Sequence, residues 1–109
     1  MKVCEIVEKL NLTTHCLIHP DKVISGVYAG DLLSWVMGHA KSGDIHVTIM
    51  SNINVLAVAS LLDLSCVILS EGVMPDDEFI NLAKEKQINV FSSNNDTYTV
   101  CTELFKNLK

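Results

Sequence analysis

Aromatic residues make up only 6% of the chain, so its core must be built mostly from aliphatic side chains. Basic residues are few as well. Eight Lys and Arg stand against 13 Asp and Glu, a net charge of −5, and they form no cluster. A protein that grips nucleic-acid backbones needs a basic face, so nucleic acid is excluded as a partner. No apolar run is long enough for a membrane span. The richest one, "INVLAVASLLDLSCVIL", has 17 residues and is interrupted by Asn54 and Asp63, whereas a spanning helix needs about 20. The N-terminal "MKVCEIVEKLNL" is amphipathic and lacks the continuous apolar stretch of a secretory signal. No two of the cysteines, Cys4, Cys16, Cys66 and Cys101, stand at CxxC spacing, and each lies in an apolar segment. Reduced, buried cysteines in a cytoplasmic protein are expected.

What is present is apolar content. Hydrophobic residues are 49% of 109, which suffices for one domain with one core. It also exceeds what a lone small monomer needs, so a homodimer is expected.

The periodicity alternates. Val3, Ile6, Val7 and Leu10 predict a helix over Lys2–Leu10. "TTHCLI" and "KVISGVY" predict short strands on either side of the turn at His19, Pro20 and Asp21. A second helix is predicted over Asp31–Ala40, with Asp31 as its cap and Gly43 helping to end the segment. Leu32, Leu33, Val36, Met37 and Ala40 form its core stripe, and Asp31, Trp35 and His39 a neighbouring one. Strand and helix then repeat: "IHVTIM" before Ile53–Leu62, "CVILS" before Asp76–Lys86, and "NVFSS" before Thr97–Leu108. The last helix carries Val100, Cys101, Leu104, Phe105 and Leu108 as one stripe. This rhythm predicts an α/β fold, a single domain with a mostly parallel central sheet of about five strands flanked by helices on both faces. The Ile53–Leu62 helix is apolar nearly all round, so one of its sides is expected to meet another subunit.

In a parallel sheet, ligands favour the carboxyl ends of the strands. The loops there, with the glycine turn before the second helix, supply Gly30, Asp31, Ser51, Asn52, Asn54, Ser70, Glu71, Gly72, Ser92, Ser93 and Asn94. These residues either contact a small polar ligand or simply cap the helices that follow. Trp35, Ile53, Leu56 and Leu61 are the candidate interface residues. "GHAKSGD" has the glycine spacing of a phosphate loop, but Asp44 and Ile45 stand where Lys and Ser or Thr belong, and the segment ends a helix. His15, Cys16, His19 and His46 match no known metal spacing. No metal, cofactor or catalytic residue is expected.

The stretches "DLLSWVMGHA", "HVTIMSNINVLAVASLLDLSCVIL" and the ending "PDDEFINLAKEKQINVFSS" resemble the DRTGG domain family, over about Val23 to Leu108. The five letters that name the family are absent here. The family is similar to the N-terminal domain of bacterial HPr kinase/phosphorylase. It also occurs beside paired CBS domains in regulated pyrophosphatases and in some phosphotransacetylases. The resemblance implies a mixed-sheet α/β domain, often dimeric, with no established catalytic role. No CBS pair or kinase domain fits in the remainder, so residues 1–109 are expected to be a single DRTGG-like domain. Two functions follow as expectations. One is a non-catalytic regulatory homodimer that senses a small polar ligand such as an adenine nucleotide. The other is an accessory subunit that docks onto a separate kinase or metabolic enzyme.

Overall fold

A computed structural model describes residues 1–108. In chain order the elements are α1 (Val3–Lys9), β1 (Thr13–Cys16), β2 (Gly26–Ala29), α2 (Leu33–His39), β3 (Asp44–Thr48), α3 (Asn54–Leu62), β4 (Cys66–Leu69), α4 (Asp77–Lys86), β5 (Val90–Ser92) and α5 (Thr97–Leu108). The strands form one sheet in the order β1-β5-β4-β3-β2. β2 to β5 pair in parallel, with Val27 opposite Ile45, Val47 opposite Ile68 and Ile68 opposite Phe91. β1 runs antiparallel to β5, with a register shift between Thr14 and Cys16. The sheet is thus mixed: the expected parallel strands carry one antiparallel edge.

The four parallel strands lie side by side in chain order. Right-handed crossovers that always step the same way leave their helices on one face. Val36 of α2, Val55 and Leu56 of α3, and Phe79 and Ala83 of α4 accordingly pack with Val67, Leu69 and Val90. α1 and α5 cover the other face, where Val3, Ile6, Val100 and Leu104 pack with Ile45, Val47, Cys66, Ile68 and Phe91. The period-two alternation of the strands feeds these two cores. β4, "CVIL", is buried at every position, as a strand covered on both faces should be.

Several sequence expectations are corrected. α2 begins at Leu33, and its N-cap Leu32 has no side-chain cap. Asp31 does not cap it, because its carboxylate is engaged elsewhere, by Thr48 Oγ1 and the Ile49 N–H. The core stripe of α2 narrows to Leu33, Val36 and Ala40, while Leu32 and Met37 are exposed. On α5, Phe105 turns outward. β2 begins at Gly26, and Val23 makes only an isolated bridge to Lys2. All four cysteines are free, but only Cys16 and Cys66 are buried. Burial pushes the Cys66 thiol up to about 12. Leu56, expected at an interface, lies on the inward side of α3 and is fully buried in the core. Ile53 and Leu61 of that region are exposed.

Candidate ligand-binding site

Chain direction decides which loops share an edge. β2 to β5 end at the carboxyl edge of the sheet, and antiparallel β1 begins there. After β4 the chain passes to α4 on one face, and after β5 it passes to α5 on the other. The crevice between the ends of β4 and β5 is therefore a topological switch point, where open α/β sheets take ligands.

The chain fills much of that crevice itself. Glu71 N–H donates to Asn95 O at 2.7 Å, and Gly72 N–H to Ser93 O at 2.9 Å. The Ser70 and Thr97 hydroxyls share a 2.7 Å hydrogen bond, and Thr97 N–H donates to Glu71 Oε2 at 2.8 Å. Glu71 and Gly72 both take left-handed backbone angles, φ 62° and 73°, and this turn brings the Glu71 carboxylate back onto the start of α5. Ser70, Glu71 and Gly72 thus bind the two loops together.

Beside this lacing, a groove of about 300 Å³ remains open. Ser92, Ser93 and Asn94 line it, with Leu10, Asn11, Thr13 and Asn95. Asn11 reaches it because the end of α1 turns through a left-handed residue, φ 52°. A smaller cavity of about 160 Å³, lined by Lys9, Asn11, Ser93, Asn95 and Glu103, shares its floor. Ser93 Oγ accepts from Asn95 N–H at 3.1 Å, which shapes the loop. Ser92 is buried, and its Oγ lies 2.8 Å from His15 Nε2 and 3.6 Å from Met74 Sδ. The His15–Ser92 contact is the shorter of the two, and the imidazole tautomer sets which atom donates in it. Burial lowers the His15 pKa, which favours the neutral ring.

The other half of the edge is laced in a different way. Thr48 Oγ1 and Ile49 N–H donate to Asp31 Oδ1 at 2.7 and 3.0 Å, which ties the loop after β2 to the loop after β3. Asn54 N–H donates to Asn52 Oδ1 at 2.8 Å, an Asx turn that opens α3. Ser51 is exposed. Gly30 O accepts from His46 Nε2–H at 2.8 Å. His46 is fully buried, its Nδ1 has no partner among the described residues, and burial lowers its pKa. On α2, the Trp35 and His39 rings stack at 4.5 Å, and His39 Nδ1 donates to Trp35 O. Of the residues named from sequence, Ser92, Ser93 and Asn94 come together at a groove. Gly30, Asp31, Ser51, Asn52 and Asn54 lie along the β2–β3 half of the same edge.

The family model of the DRTGG domain matches residues 19–106. The chain belongs to the DRTGG domain family. Among solved structures, this DRTGG domain is similar to the CBS and DRTGG domains of the regulatory region of Clostridium perfringens pyrophosphatase, complexed with its activator diadenosine tetraphosphate. The TM-score is 0.75 at 21% sequence identity, over 94% of this chain and 45% of that one. The likeness is one of fold, and the chain spans less than half the length of that neighbour. No curated protein matches the chain.

Sequence reasoning missed Asn11, Thr13 and His15 as neighbours of the DRTGG domain's groove. Their placement follows from the antiparallel pairing of β1 with β5, and nothing in "NLTTHC" signals its partner strand. Among the described residues, no three His, Cys, Asp or Glu side chains gather closely enough to hold a metal ion. No helix among them is long and apolar enough to cross a membrane.

Proposed function

We propose that this DRTGG domain is a non-catalytic regulatory module that works as a cytoplasmic homodimer and senses a small polar ligand, with adenine nucleotides the first class to test. Residues 1–109 act as one unit in this reading. The observation that carries it is the groove at the carboxyl end of β5. Asn11, Thr13, Ser93, Asn94 and Asn95 offer amide and hydroxyl groups there, donors and acceptors that suit a nucleobase or ribose edge. Ser70, Glu71 and Gly72 hold the adjoining loop. Gly30, Asp31, Asn52 and Asn54 order the far half of the edge, where Ser51 is exposed to a ligand. The regulatory region of the Clostridium perfringens pyrophosphatase, with its CBS and DRTGG domains, is complexed with an adenine dinucleotide activator, which supports the same ligand class here. Thermal-shift titration with AMP, ADP, ATP and diadenosine tetraphosphate tests the reading. A saturable rise in Tm that Asn94→Ala removes is expected, and no rise with any of them sinks it.

A second reading rests on a different surface. Trp35, Ile53 and Leu61 on and beside α2 and α3 keep large apolar areas exposed, as a docking face would. In that reading the domain is an accessory subunit of a separate kinase or metabolic enzyme. Affinity capture from native lysate then yields one foreign protein in stoichiometric amount, and capture of the chain alone rejects it.

A further inference from the structure

At the opposite edge of the sheet, where β4 and β5 begin, a cavity of about 180 Å³ opens between the ends of α3 and α4. Lys22, Ser60, Asp63, Ser65, Lys86 and Gln87 line it. It adjoins a wider cleft of about 570 Å³ that shares Lys22 and Asp63. The charges in it do not cancel. Lys22 Nζ is engaged by Asp63 Oδ1 at 2.7 Å, and Ser42 Oγ approaches the same carboxylate at 3.5 Å. The ion pairs among the described residues use Lys2, Lys22 and Lys106 and leave Lys86 out. One uncompensated positive charge therefore sits at this cavity, in a chain whose net charge is −5.

A second observation is independent of charge. Ser65 is 1% exposed, and its hydroxyl has no hydrogen-bond partner among the described residues beyond the Cys66 thiol. The adjacent Cys66 sulfur is a weak acceptor. A hydroxyl held only by so weak an acceptor remains poorly satisfied, and a ligand in the cavity would supply a stronger partner. The ends of two helices would ordinarily repel an anion, but both are closed here. Asp63 and Gln87 take left-handed angles, and their N–H groups return to carbonyls of α3 and α4. Leu64 and Ile88 N–H do the same, to Ala59 O and Ala83 O.

We infer that this amino-edge cavity binds a phosphate-class oxyanion, with Lys86 as the counter-charge and the Ser60, Ser65 and Gln87 side chains as donors. The chain contains no arginine, so no planar fork is present to favour a carboxylate. Separate single donors around a lysine suit a tetrahedral anion. The site lies at the other end of the strands from the groove lined by Asn94, so its test is independent of the nucleotide reading.

The test is a two-dimensional NMR titration of the full chain with inorganic phosphate at constant ionic strength. Saturable shifts are expected at the Ser60, Asp63, Ser65 and Gln87 amides. Lys86→Ala, at an exposed position, weakens the affinity about tenfold. Ser65→Ala also weakens it while leaving Tm unchanged or raised, which a purely structural serine would not do. Lys106→Ala, at a lysine on α5 away from the cavity lining, leaves the affinity unchanged. Shifts that never saturate, shifts spread equally around Lys2, Lys9 and Lys106, or an affinity unaltered by Lys86→Ala would each overturn the inference.

Discussion

Thr97 N–H, at the start of α5, donates to the Glu71 carboxylate at 2.8 Å across 26 residues of sequence. The contact joins the loop after β4 to the loop after β5 and places a negative charge at a helix N-terminus, where the dipole favours it. Glu71→Gln keeps an acceptor and loses the charge, so it should cost about 0.3–1 kcal/mol, and less at high salt. Glu71→Ala loses the acceptor as well and should cost about 1 kcal/mol or more. Urea unfolding of both variants at low and high salt checks this. Stability equal to wild type in both variants would show that the contact contributes nothing.

Asn89 is the other long-range clasp, at the opposite edge. Its buried amide oxygen accepts from the Ile18 and His19 N–H groups, both at 2.9 Å, and its amide nitrogen donates to His19 O and Ser65 O. One side chain thus satisfies four backbone groups. Asn89→Ala strands them, at about 1–3 kcal/mol for each that water does not reach, so a loss of about 3 kcal/mol or more is expected. Asn89→Asp keeps the acceptor for two N–H groups but turns an oxygen towards two carbonyls, and it should fall between wild type and alanine at neutral pH. Denaturant midpoints order the three proteins, and an alanine variant within about 1 kcal/mol of wild type rejects the account.

How much of this was legible from sequence follows the range of the interactions. The apolar periodicity of "CVIL" and of the α3 and α4 segments marks elements that local pattern controls, and these stand close to their expected places. α2 is different. Asp31 has the chemistry of a helix cap, and only the neighbouring loop after β3 reveals that Thr48 and Ile49 take its carboxylate. Leu56 and Leu61 look alike in a helix that is apolar all round, and only packing puts one in the core and the other in solvent. The groove at Ser92 to Asn94 was half visible. Its strand-end loop follows from the βα order, while Asn11 and Thr13 arrive through a pairing between residues about 80 apart, for which the sequence carries no local signal.

Gly43 is required by its surroundings. Its φ is +85°, and a Cβ there would collide with Ser25 Oγ. Its N–H and C=O also bond Asp63 O and Ser25 N–H, so the backbone cannot simply relax. Gly43→Ala should lose about 1–3 kcal/mol. Ser25→Gly in the same chain removes the collision but leaves the φ penalty, so it should restore part of the loss. A thermal melt of the single and double variants measures both. Full restoration would mean that the backbone angle costs nothing here.

His46 makes stability depend on pH. The ring is fully buried and donates Nε2–H to Gly30 O, and burial lowers its pKa below the ordinary value of 6.5. Above 6.5 the ring is neutral in both the folded and unfolded chains, and stability is at its full value. As pH falls below 6.5 the unfolded chain takes up a proton that the folded chain refuses, so stability declines until the folded-state pKa is passed. The half-buried His15, whose pKa is also lowered by burial, acts in the same direction. Denaturant unfolding at intervals from pH 8 to about pH 5, the range over which an ordinary histidine titrates, should show this decline. In His46→Gln the slope is shallower, whatever that substitution costs at pH 8. An identical slope in the variant would remove His46 as its source.

Trp35 and Leu61 test the dimer. They are 57% and 70% exposed on α2 and α3, helices that pack against each other. Surface of this kind contributes about 1.5–3 kcal/mol per large side chain when it is buried, and an interface that uses both would weaken sharply on losing either. Light scattering across a concentration series should show wild type as a dimer, and Trp35→Ser and Leu61→Lys shifted towards monomer. Neither side chain contributes to the buried core, so the monomeric variants should keep a cooperative unfolding transition. A wild-type chain that stays monomeric at the highest concentration reached would remove the dimer. A dimer undisturbed by both variants would move the interface away from this face.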